Sequence, residues 1–383
     1  MIRKAIRQNK NSKIVAIGCY AQSDYEDLQK IEGINLIAGN GEKNNILEQL
    51  EKIDFYDMVT RVKPTKYLKK YDDTLISKSS NLHTRALLKI QDGCNRFCTY
   101  CKVPYVRGSE RSRSIKDILE EISNLENIGI KETVLTGINL GTYGKDIDKG
   151  KLNLAKLISL ISDFKGIKRI RLSSIELIDI DDELLNIFKK SSKICHHLHI
   201  PLQSGDDKIL SLMSRPYDTA LFYKKISLIR ETIPDIAITT DIMVGFPNED
   251  SSSFNKTINF VQKICFAKIH VFQYSNRKEC LAALLPNKVD KIEKKERSKK
   301  LQYLSNKAYY DFQKQYLDTT ADVLVEDEIK DREGKIYSRG FTSNYIKVII
   351  PDFVGKKGEI VRVKLNQISS NYIVSTGIRG FIS

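Results

Sequence analysis

The sequence predicts an α/β protein whose largest part is a curved, incomplete (β/α)6 barrel, followed by a small antiparallel β-barrel. Between residues 85 and 275, six strand-like segments alternate with helical segments, an order that is typical of a parallel sheet with right-handed crossovers. A shorter α/β pattern spans residues 14–52, and residues 317–383 alternate with period two between turn signals. These observations predict three parts: an N-terminal α/β domain, the partial barrel and the C-terminal β-barrel.

The elements of the partial barrel follow from local patterns. Apolar, β-branched segments predict its six strands, at residues 86–90, 133–137, 167–174, 197–203, 237–247 and 268–275. Apolar residues spaced as on one helix face predict helices from residue 114 and at 152–163, 181–190, 206–213, 218–232, 251–264 and 291–316. Ser114 is the expected N-cap of the first of these helices, because Asp117 follows three residues later. Ligand groups are expected at the C-terminal ends of the strands.

The flanking segments complete the predicted organisation. In the N-terminal part, strands are expected at 14–18 and 34–39, and helices at 24–30 and 44–52. A basic segment with few apolar residues follows and is typical of a linker. The predicted boundaries are residues 1–60 for the N-terminal domain, 61–83 for the linker, 84–312 for the barrel with its following helix, and 313–383 for the β-barrel.

The charge of the chain favours a polyanionic partner. The 383 residues include 63 Lys and Arg against 48 Asp and Glu, a net charge of +15, and such a balance most simply indicates nucleic acid. Compositional drift in a Lys-, Ile- and Asn-rich chain is the alternative. In the C-terminal part, cations are interleaved with aromatics, as in small β-barrels that bind RNA: Lys347, Lys356, Lys357, Arg362 and Lys364 with Tyr345, Phe353 and Tyr372. No run of eighteen apolar residues suggests a membrane span.

A loop with three cysteines is the strongest chemical signal in the chain. Cys94, Cys98 and Cys101 form the pattern C-x3-C-x2-C, and KVPYVRG follows directly. Three thiolates in one short loop can hold three irons of a 4Fe-4S cubane. The fourth iron then stays open for a small molecule, which suits electron delivery to a bound sulfonium compound. Tyr100, the aromatic before the third cysteine, fits the same pattern.

Zinc and a disulfide framework are the alternatives. A structural zinc site takes four ligands, but the nearest histidine is His83, eleven residues upstream of Cys94, and no second C-x2-C exists. Seven cysteines in 383 residues do not make a small disulfide-stapled domain. The odd cysteine count without a signal peptide indicates a reducing cytoplasm. Cys195, Cys265 and Cys280 match no ligand spacing, and we expect them to be buried apolar thiols.

Nine motifs between residues 14 and 280 carry a family resemblance: IGCYAQ (17–22), QDGCNRFCTYCKVPYVRG (91–108), ERSR (110–113), LTGINLGTYG (135–144), RLSSIE (171–176), HIPLQSG (199–205), MSRPY (213–217), TTDIMVGFP (239–247) and HVFQYSNRK (270–278). The chain resembles tRNA methylthiotransferases of the radical S-adenosyl-L-methionine (SAM) superfamily, most closely the MtaB type that acts on N6-threonylcarbamoyladenosine. Its C-terminal part resembles the TRAM domain, an RNA-binding module. Branches that act on isopentenyladenosine in tRNA or on a ribosomal protein are the alternatives, although GINLGTYG and SSIE favour the threonylcarbamoyl branch.

The resemblance implies a role for particular residues. The radical SAM cluster would be held by Cys94, Cys98 and Cys101. The SAM molecule would be bound by strand-end residues, the amino acid moiety by Gly137 and Asn139 and the ribose or amino group by Ser174 and Glu176. For each of these four the alternative is an ordinary strand-end turn. Two further polar residues are candidates for lining the site, Gln203 and Asp241. Three arginines would either meet phosphate or stabilise the cysteine loop, Arg107, Arg111 and Arg113. No side chain is assigned to the catalytic steps.

The resemblance also implies the chemistry and the partners. An electron from the cluster would cleave SAM to a 5′-deoxyadenosyl radical, which would take a hydrogen from C2 of the modified adenine at position 37 of tRNA. A second 4Fe-4S cluster in the N-terminal domain would supply the sulfur, and another SAM the methyl group, so that the cofactors carry the hard chemistry. The expected partners are the tRNA anticodon stem-loop and a reducing electron donor such as flavodoxin or ferredoxin, in the cytoplasm and without a membrane.

The chain departs from the family pattern mainly at its N-terminal end. Family members hold the second cluster with three cysteines, of which only Cys19 has a counterpart here. The resemblance therefore implies an N-terminally truncated member, and it leaves a second function open: a radical SAM protein that binds RNA and cleaves SAM but cannot transfer sulfur. Smaller departures are Leu177, where a proline is usual, and the stretch QYSNRKECLAA at 273–283.

Overall fold

The computed structural model describes residues 1–9, 11–54, 57–71, 84–147, 151–330, 333–351, 353, 355–369 and 372–382. Within these ranges no helix has both the length and the apolar character that a membrane crossing requires. His83, named above as the histidine nearest to the cysteine loop, lies outside the described residues.

The N-terminal part is a small three-stranded parallel sheet with short helices. Its strands lie side by side in chain order, β1 Val15–Ile17, β2 Leu36–Ala38 and β3 Val59–Arg61. Its helices are α1 Ile2–Gln8, α2 Cys19–Ser23, α3 Tyr25–Gln29 and α4 Ile46–Glu51. The two predicted strands and two predicted helices are confirmed, whereas β3, α1 and α2 were not predicted. Buried Leu36, Ile37 and Ala38 make β2 the centre of this part.

The central part contains the six predicted strands. Together with two short strands that were not predicted, β5 and β6, they are β4 Arg85–Lys89, β5 Gln91–Asp92, β6 Arg111–Ser112, β7 Glu132–Thr136, β8 Arg169–Leu172, β9 His197–His199, β10 Ala237–Val244 and β11 Lys268–Gln273. Strands β4-β7-β8 and β9-β10-β11 form two parallel sheets. Parallel bridges from Ile170 to Ile194 and from Ser174 to His199 join the two sheets into one row in chain order. The short antiparallel pair β5-β6 was not predicted.

Between and after these strands, the described residues form the helices α5 Val103–Arg107, α6 Ile115–Asn127, α7 Leu154–Ser162, α8 Asp182–Lys190, α9 Asp207–Leu212, α10 Thr219–Thr232, α11 Ser251–Ile264 and α12 Lys291–Lys314. Ser114 caps α6 as predicted, since its hydroxyl accepts a hydrogen bond of 3.1 Å from the backbone N–H of Asp117. Asn153, Asp181, Asp218 and Asp250 cap α7, α8, α10 and α11 in the same way, which satisfies backbone donors that the helices leave free.

The two faces of the six-strand row differ in what they contact. Alternate residues such as Leu88, Leu135 and Ile238 are buried in the main hydrophobic core with the helices. Because successive side chains of a strand point to opposite faces, the residues between them form a second face, which we call the inner face. It includes Leu87 and Phe272, which remain 58% and 53% exposed. The inner face is therefore open to ligands.

The C-terminal part is a closed five-stranded barrel, as predicted. Its strands are β12 Thr320–Lys330, β13 Ile336–Thr342, β14 Lys347–Pro351, β15 Ile360–Ser369 and β16 Tyr372–Ile382, in the order β12-β13-β14-β16-β15. All pairs are antiparallel except β14-β16. Val323, Val348, Val361 and Leu365 are among the side chains that fill its interior.

This barrel docks on the N-terminal ends of the central strands. Arg169, the first residue of β8, donates hydrogen bonds of 3.0 and 2.6 Å to the carbonyl oxygens of Phe341 and Asp322. Tyr345 stacks on His197, the first residue of β9, with ring centroids 5.0 Å apart. The cysteine loop lies at the opposite, C-terminal ends of the same strands.

One of the three remaining cysteines was predicted wrongly. Cys195 and Cys280 are buried, as expected, but Cys265 is exposed. It follows α11 in the left-handed conformation that ends the helix, with φ of 55°.

The described part of the predicted linker has contacts and local structure of its own. Val62 packs against the N-terminal core, and Thr65–Tyr67 forms a 3-10 turn.

Candidate functional site

The cysteine loop lies between β5 and α5 and is fixed by backbone contacts on both sides. The N–H of Cys94 donates to the carbonyl of Gly108 at 3.1 Å, and the N–H of Thr99 donates to Met213 at 3.2 Å. Gly93 enters the loop with φ of +74°, and a Cβ on it would lie 1.9 Å from the carbonyl oxygen of Ser109. A glycine is therefore required at this position.

The three thiols of the loop are free and lie close enough to influence each other's ionisation. Burial raises the pKa of Cys94 to about 11, and the neighbouring Cys101 and Cys98 add to the increase. Burial likewise raises the pKa of Cys101, with a further contribution from Cys98. Bound iron would reverse this, because a coordinating thiol is deprotonated.

Cysteine thiolates are the ligands that hold iron–sulfur clusters, and this loop contains three cysteines. Among the described residues, no group of three His, Cys, Asp or Glu side chains is placed to hold a single metal ion. In a cubane each cysteine binds a different iron, so its ligands need not converge on one point. The donor set, three thiols in one partly buried loop, fits a 4Fe-4S cluster.

A buried arginine that sequence reasoning missed joins this loop to a predicted SAM residue. The Nη1 of Arg215 donates to the Sγ of Cys98 at 3.3 Å and to the hydroxyl of Tyr100 at 3.4 Å. Its Nη2 forms an ion pair with the carboxylate of Glu176, and its Nε donates to Tyr217 at 2.9 Å. MSRPY (213–217) was noted as a motif, but only the structure shows that its arginine reaches the cysteine loop.

A second link runs from the loop to Asn139. Glu110 accepts hydrogen bonds from the N–H of Asn95 at 3.5 Å and from the Nδ2 of Asn139 at 3.1 Å. The backbone N–H of Asn139 donates to Gln91 at 2.9 Å. Its Oδ1 is buried and has no hydrogen-bond partner, so it can accept a bond from a ligand.

The other strand-end candidates lie at the same end of the row. Gly137 follows β7 directly, and a Cβ on it would come within 3.1 Å of Gln91. Ser174 pairs through its backbone with His199. The structure therefore brings the three cysteines together with Gly137, Asn139, Ser174 and Glu176 at the C-terminal ends of the strands, where ligands of such barrels bind.

Gln203 follows β9, whereas Asp241 is the fifth of the eight residues of β10 and does not lie at a strand end. The backbone N–H of Gln203 donates to the carbonyl of Asp241 at 2.8 Å, and Gln203 has φ of 70°. The Asp241 carboxylate is on the inner face, 3.3 Å from the Nε2 of His199.

Two of the three arginines after the cysteines stabilise the loop. Arg107 forms an ion pair of 3.1 Å with Asp92, and Arg111 donates to the carbonyls of Arg107 and Ser109, each at 2.8 Å. These contacts support the loop-stabilising interpretation for Arg107 and Arg111. Arg113 instead forms a buried ion pair with Glu121 of α6.

Cys19 lies near α5, the helix that follows the cysteine loop. It is the first residue of α2, and the Nδ2 of Asn40 bridges it to α5, at 3.9 Å from the Cys19 sulfur and 2.7 Å from the carbonyl of Val106. Lys102, directly after Cys101, forms an ion pair of 2.7 Å with Asp24. The N-terminal part thus packs on the end of the loop and on α5.

Comparison with known proteins agrees with this geometry. The model of the Radical SAM superfamily matches residues 88–261. The threonylcarbamoyladenosine tRNA methylthiotransferase MtaB of Bacillus subtilis is 36% identical over 367 residues, covering 95% of this chain and 81% of that protein. The tRNA-2-methylthio-N6-dimethylallyladenosine synthase of Clostridium tetani is 39% identical over 290 residues, covering 75% of this chain and 63% of that protein.

Among solved structures, the radical SAM methyltransferase TsrM of Kitasatospora setae, with tryptophan and a SAM analogue bound, has a TM-score of 0.53 at 15% identity. The match covers 70% of this chain and 56% of that chain, and it supports the radical SAM fold alone. The long matches at 36% and, in Thermotoga maritima, 32% identity carry the family assignment. The chain belongs to the MtaB-type tRNA methylthiotransferases of the radical SAM superfamily.

Proposed function

We propose that this chain methylthiolates C2 of N6-threonylcarbamoyladenosine at position 37 of tRNA. The MtaB relatives, which match 94–98% of this chain at 32–36% identity, carry the threonylcarbamoyl substrate in their names. The observation that carries the proposal is the joining of the cysteine loop to a SAM-side carboxylate through Arg215, at the C-terminal ends of six parallel strands.

The residues present define what the site would do. Cys94, Cys98 and Cys101 would hold three irons of the cluster. When bound, the 4Fe-4S cluster and SAM supply reductive radical chemistry at the open iron. The unpaired Oδ1 of Asn139 would accept a hydrogen bond from the amino group of SAM, while Glu176, held by Arg215, would accept from its ribose or amino group.

Two finer parts of the proposal concern sulfur and RNA. Cys19, which lies near α5, would be one of the ligands of a second 4Fe-4S cluster that supplies the sulfur. The closed C-terminal barrel has the strand number and basic composition of a TRAM-like module, and it would bind the anticodon stem-loop by charge and stacking. The electron donor would be a flavodoxin or ferredoxin, and the cytoplasm stays the predicted compartment. The N-terminal truncation also stays a prediction.

The test is mass spectrometry of tRNA nucleosides from a strain that lacks its own threonylcarbamoyladenosine methylthiotransferase. Expression of this chain should produce 2-methylthio-N6-threonylcarbamoyladenosine, and Cys98→Ala should abolish the product together with the cluster's EPR signal. Cys265→Ala is the matched control, because Cys265 is the exposed thiol at the end of α11, and it should keep both. Cluster-loaded protein that forms 5′-deoxyadenosine but no methylthio product would support SAM cleavage without sulfur transfer instead.

A further inference from the structure

The inner face carries a polar cluster that neither the cysteine loop nor the strand-end residues use. His199, Asp241 and His270 lie on the adjacent strands β9, β10 and β11, and Asp241 is directly opposite His270 in the register of the sheet. The Nε2 of His199 is 3.3 Å from the Asp241 carboxylate, and the rings of the two histidines are 5.5 Å apart. We call these three residues the inner polar cluster.

A chain of hydrogen bonds through His197, Thr239 and His199 orients one ring of this cluster. The hydroxyl of Thr239 lies between two imidazoles, 3.0 Å from the Nε2 of His197 and 2.9 Å from the Nδ1 of His199. A hydroxyl has one hydrogen, so it donates to one ring and accepts from the other. The Nε2 of His199, on the other side of the ring, lies 3.3 Å from the Asp241 carboxylate.

The state of His197 sets the direction of these bonds. Burial lowers the pKa of His197 well below its ordinary value, which keeps the ring neutral. Its Nδ1 is buried without a partner, so the hydrogen of the ring is on Nε2 and donates to the Thr239 hydroxyl. That hydroxyl in turn donates to the Nδ1 of His199. The hydrogen bonds run from His197 through Thr239 to His199 and hold the His199 ring beside Asp241.

The inner face changes from apolar to polar along β10 and β11. Met243 pairs with Phe272 in the layer nearest the strand ends, Asp241 pairs with His270 in the next layer, and Lys268 lies one layer further from those ends. His270 and Lys268 are exposed, as is Phe272. We call these residues of β10 and β11 the wall. A ligand that fits the wall has a flat apolar part near the strand ends and a polar, anionic tail deeper along the strands.

We propose that this wall binds the N6 substituent of the target adenosine, with its carboxylate at Lys268 and His270 and its urea N–H groups donating to Asp241. The proposal rests on the proposed function, which supplies a substrate whose threonylcarbamoyl group contains both a urea and a carboxylate. A dimethylallyl group contains neither, and packing hydrocarbon on these residues would leave polar groups desolvated and unpaired. The wall therefore determines specificity, which identities of 36% and 39% to the two kinds of relative do not resolve.

Three anticodon stem-loop RNAs test this proposal. They differ only at the target adenosine, which is threonylcarbamoylated, dimethylallylated or unmodified, and their affinities for the reconstituted protein are measured by fluorescence anisotropy. The wild type should bind the threonylcarbamoyl RNA at least about tenfold more tightly than the other two, the scale of one charge-assisted hydrogen bond. His270→Gln and Asp241→Asn should each remove most of this preference and leave the affinity for unmodified RNA unchanged.

His196→Gln is the matched control, because His196 also pairs with an aspartate, Asp235 at 2.7 Å, but precedes β9 and is not on the inner face. It should keep the full preference. A wild type that binds the three RNAs equally, or cluster variants that weaken all three to the same extent, would overturn the proposal.

The outcome is separable from that of the proposed function. A wild type that prefers the threonylcarbamoyl RNA but never methylthiolates it would refute the proposed function and keep the specificity assignment. A wild type that methylthiolates the threonylcarbamoyl and the dimethylallyl RNA at equal rates would refute the specificity assignment alone.

Discussion

A buried ion pair between β7 and β8, beside the docked β-barrel, should be essential for stability. Arg171 donates from Nε to Glu132 at 2.7 Å, and Arg169 approaches the same carboxylate at 3.5 Å. The side chains of Glu132 and Arg171 are 1% and 3% exposed. Arg171 also donates to the carbonyl of Ser343 in the β-barrel at 2.9 Å. Glu132→Gln would remove the negative charge that both arginines share.

The magnitude follows from burial. Removing one partner of a buried pair leaves an uncompensated charge and costs roughly 3–5 kcal/mol. Asp322→Asn is the matched control, because Asp322 pairs with Arg362 at 2.6 Å but the two side chains are 32% and 53% exposed. An exposed pair contributes about 0–1 kcal/mol. Glu132→Gln should therefore lower the free energy of unfolding by roughly 3 kcal/mol, and the control by less than about 1 kcal/mol.

The measurement is urea unfolding followed by circular dichroism at several pH values. Burial by itself would raise the pKa of Glu132, but Arg171, Arg169 and Arg85 outweigh it, so the folded-state pKa lies below its ordinary value. A lowered carboxyl pKa gives stability that is present above the unfolded value of about 4.3 and is lost as the pH falls through the folded value. The difference between wild type and Glu132→Gln should thus be full at neutral pH and shrink in acid. Equal losses in Glu132→Gln and Asp322→Asn, or a difference that does not change with pH, would refute the reasoning.

Three further predictions concern the loop, the cluster and the RNA. Gly93→Ala should prevent cluster assembly, measured as iron per chain, because its Cβ would lie 1.9 Å from the carbonyl of Ser109, whereas Gly129→Ala, with φ of +80° in open space, should keep full iron content. Arg215→Met removes a donor to the Cys98 sulfur and should lower the cluster's reduction potential in an EPR redox titration, since hydrogen bonds to the sulfurs help to set this potential; an unchanged potential would contradict this. The affinity for tRNA should fall linearly with salt on a double-logarithmic plot because phosphate neutralisation releases counterions, and an affinity indifferent to salt would exclude an electrostatic contribution.

The elements of the fold were predictable because they depend on local pattern. Ser114 and Asp117 mark the start of α6 in the sequence and cap it in the structure. Four of the six strands of the row lie within the segments that their patterns predict, and β4 and β7 each begin one residue earlier than predicted. Strand β3 was missed because Val59–Arg61 is three residues long and enters a basic stretch, so it has too few apolar positions to show a period.

The candidate site was predictable only where its residues are close in sequence. The spacing of Cys94, Cys98 and Cys101 is itself the signal. Arg215 carries no such signal, because its partners Cys98 and Glu176 are 117 and 39 positions away. The inner polar cluster is another case. Alternation shows that His199 and His270 face away from the core, but only the strand order places them on the two strands that flank Asp241.

Under the proposed function, the open inner face would let the two ends of the molecule contact one RNA. The β-barrel docks at the N-terminal ends of the strands, and the cysteine loop lies at their C-terminal ends. Strand β10 has eight residues and spans about 26 Å at roughly 3.3 Å per residue. An RNA held by the β-barrel that presents one base to the loop must therefore pass along the strands. Strand β11 is the edge of the row, and its inner-face residues Lys268, His270 and Phe272 are exposed. Under the proposal above, Lys268 and His270 at this edge would contact the substituent and Phe272 the base, which requires the edge to stay open.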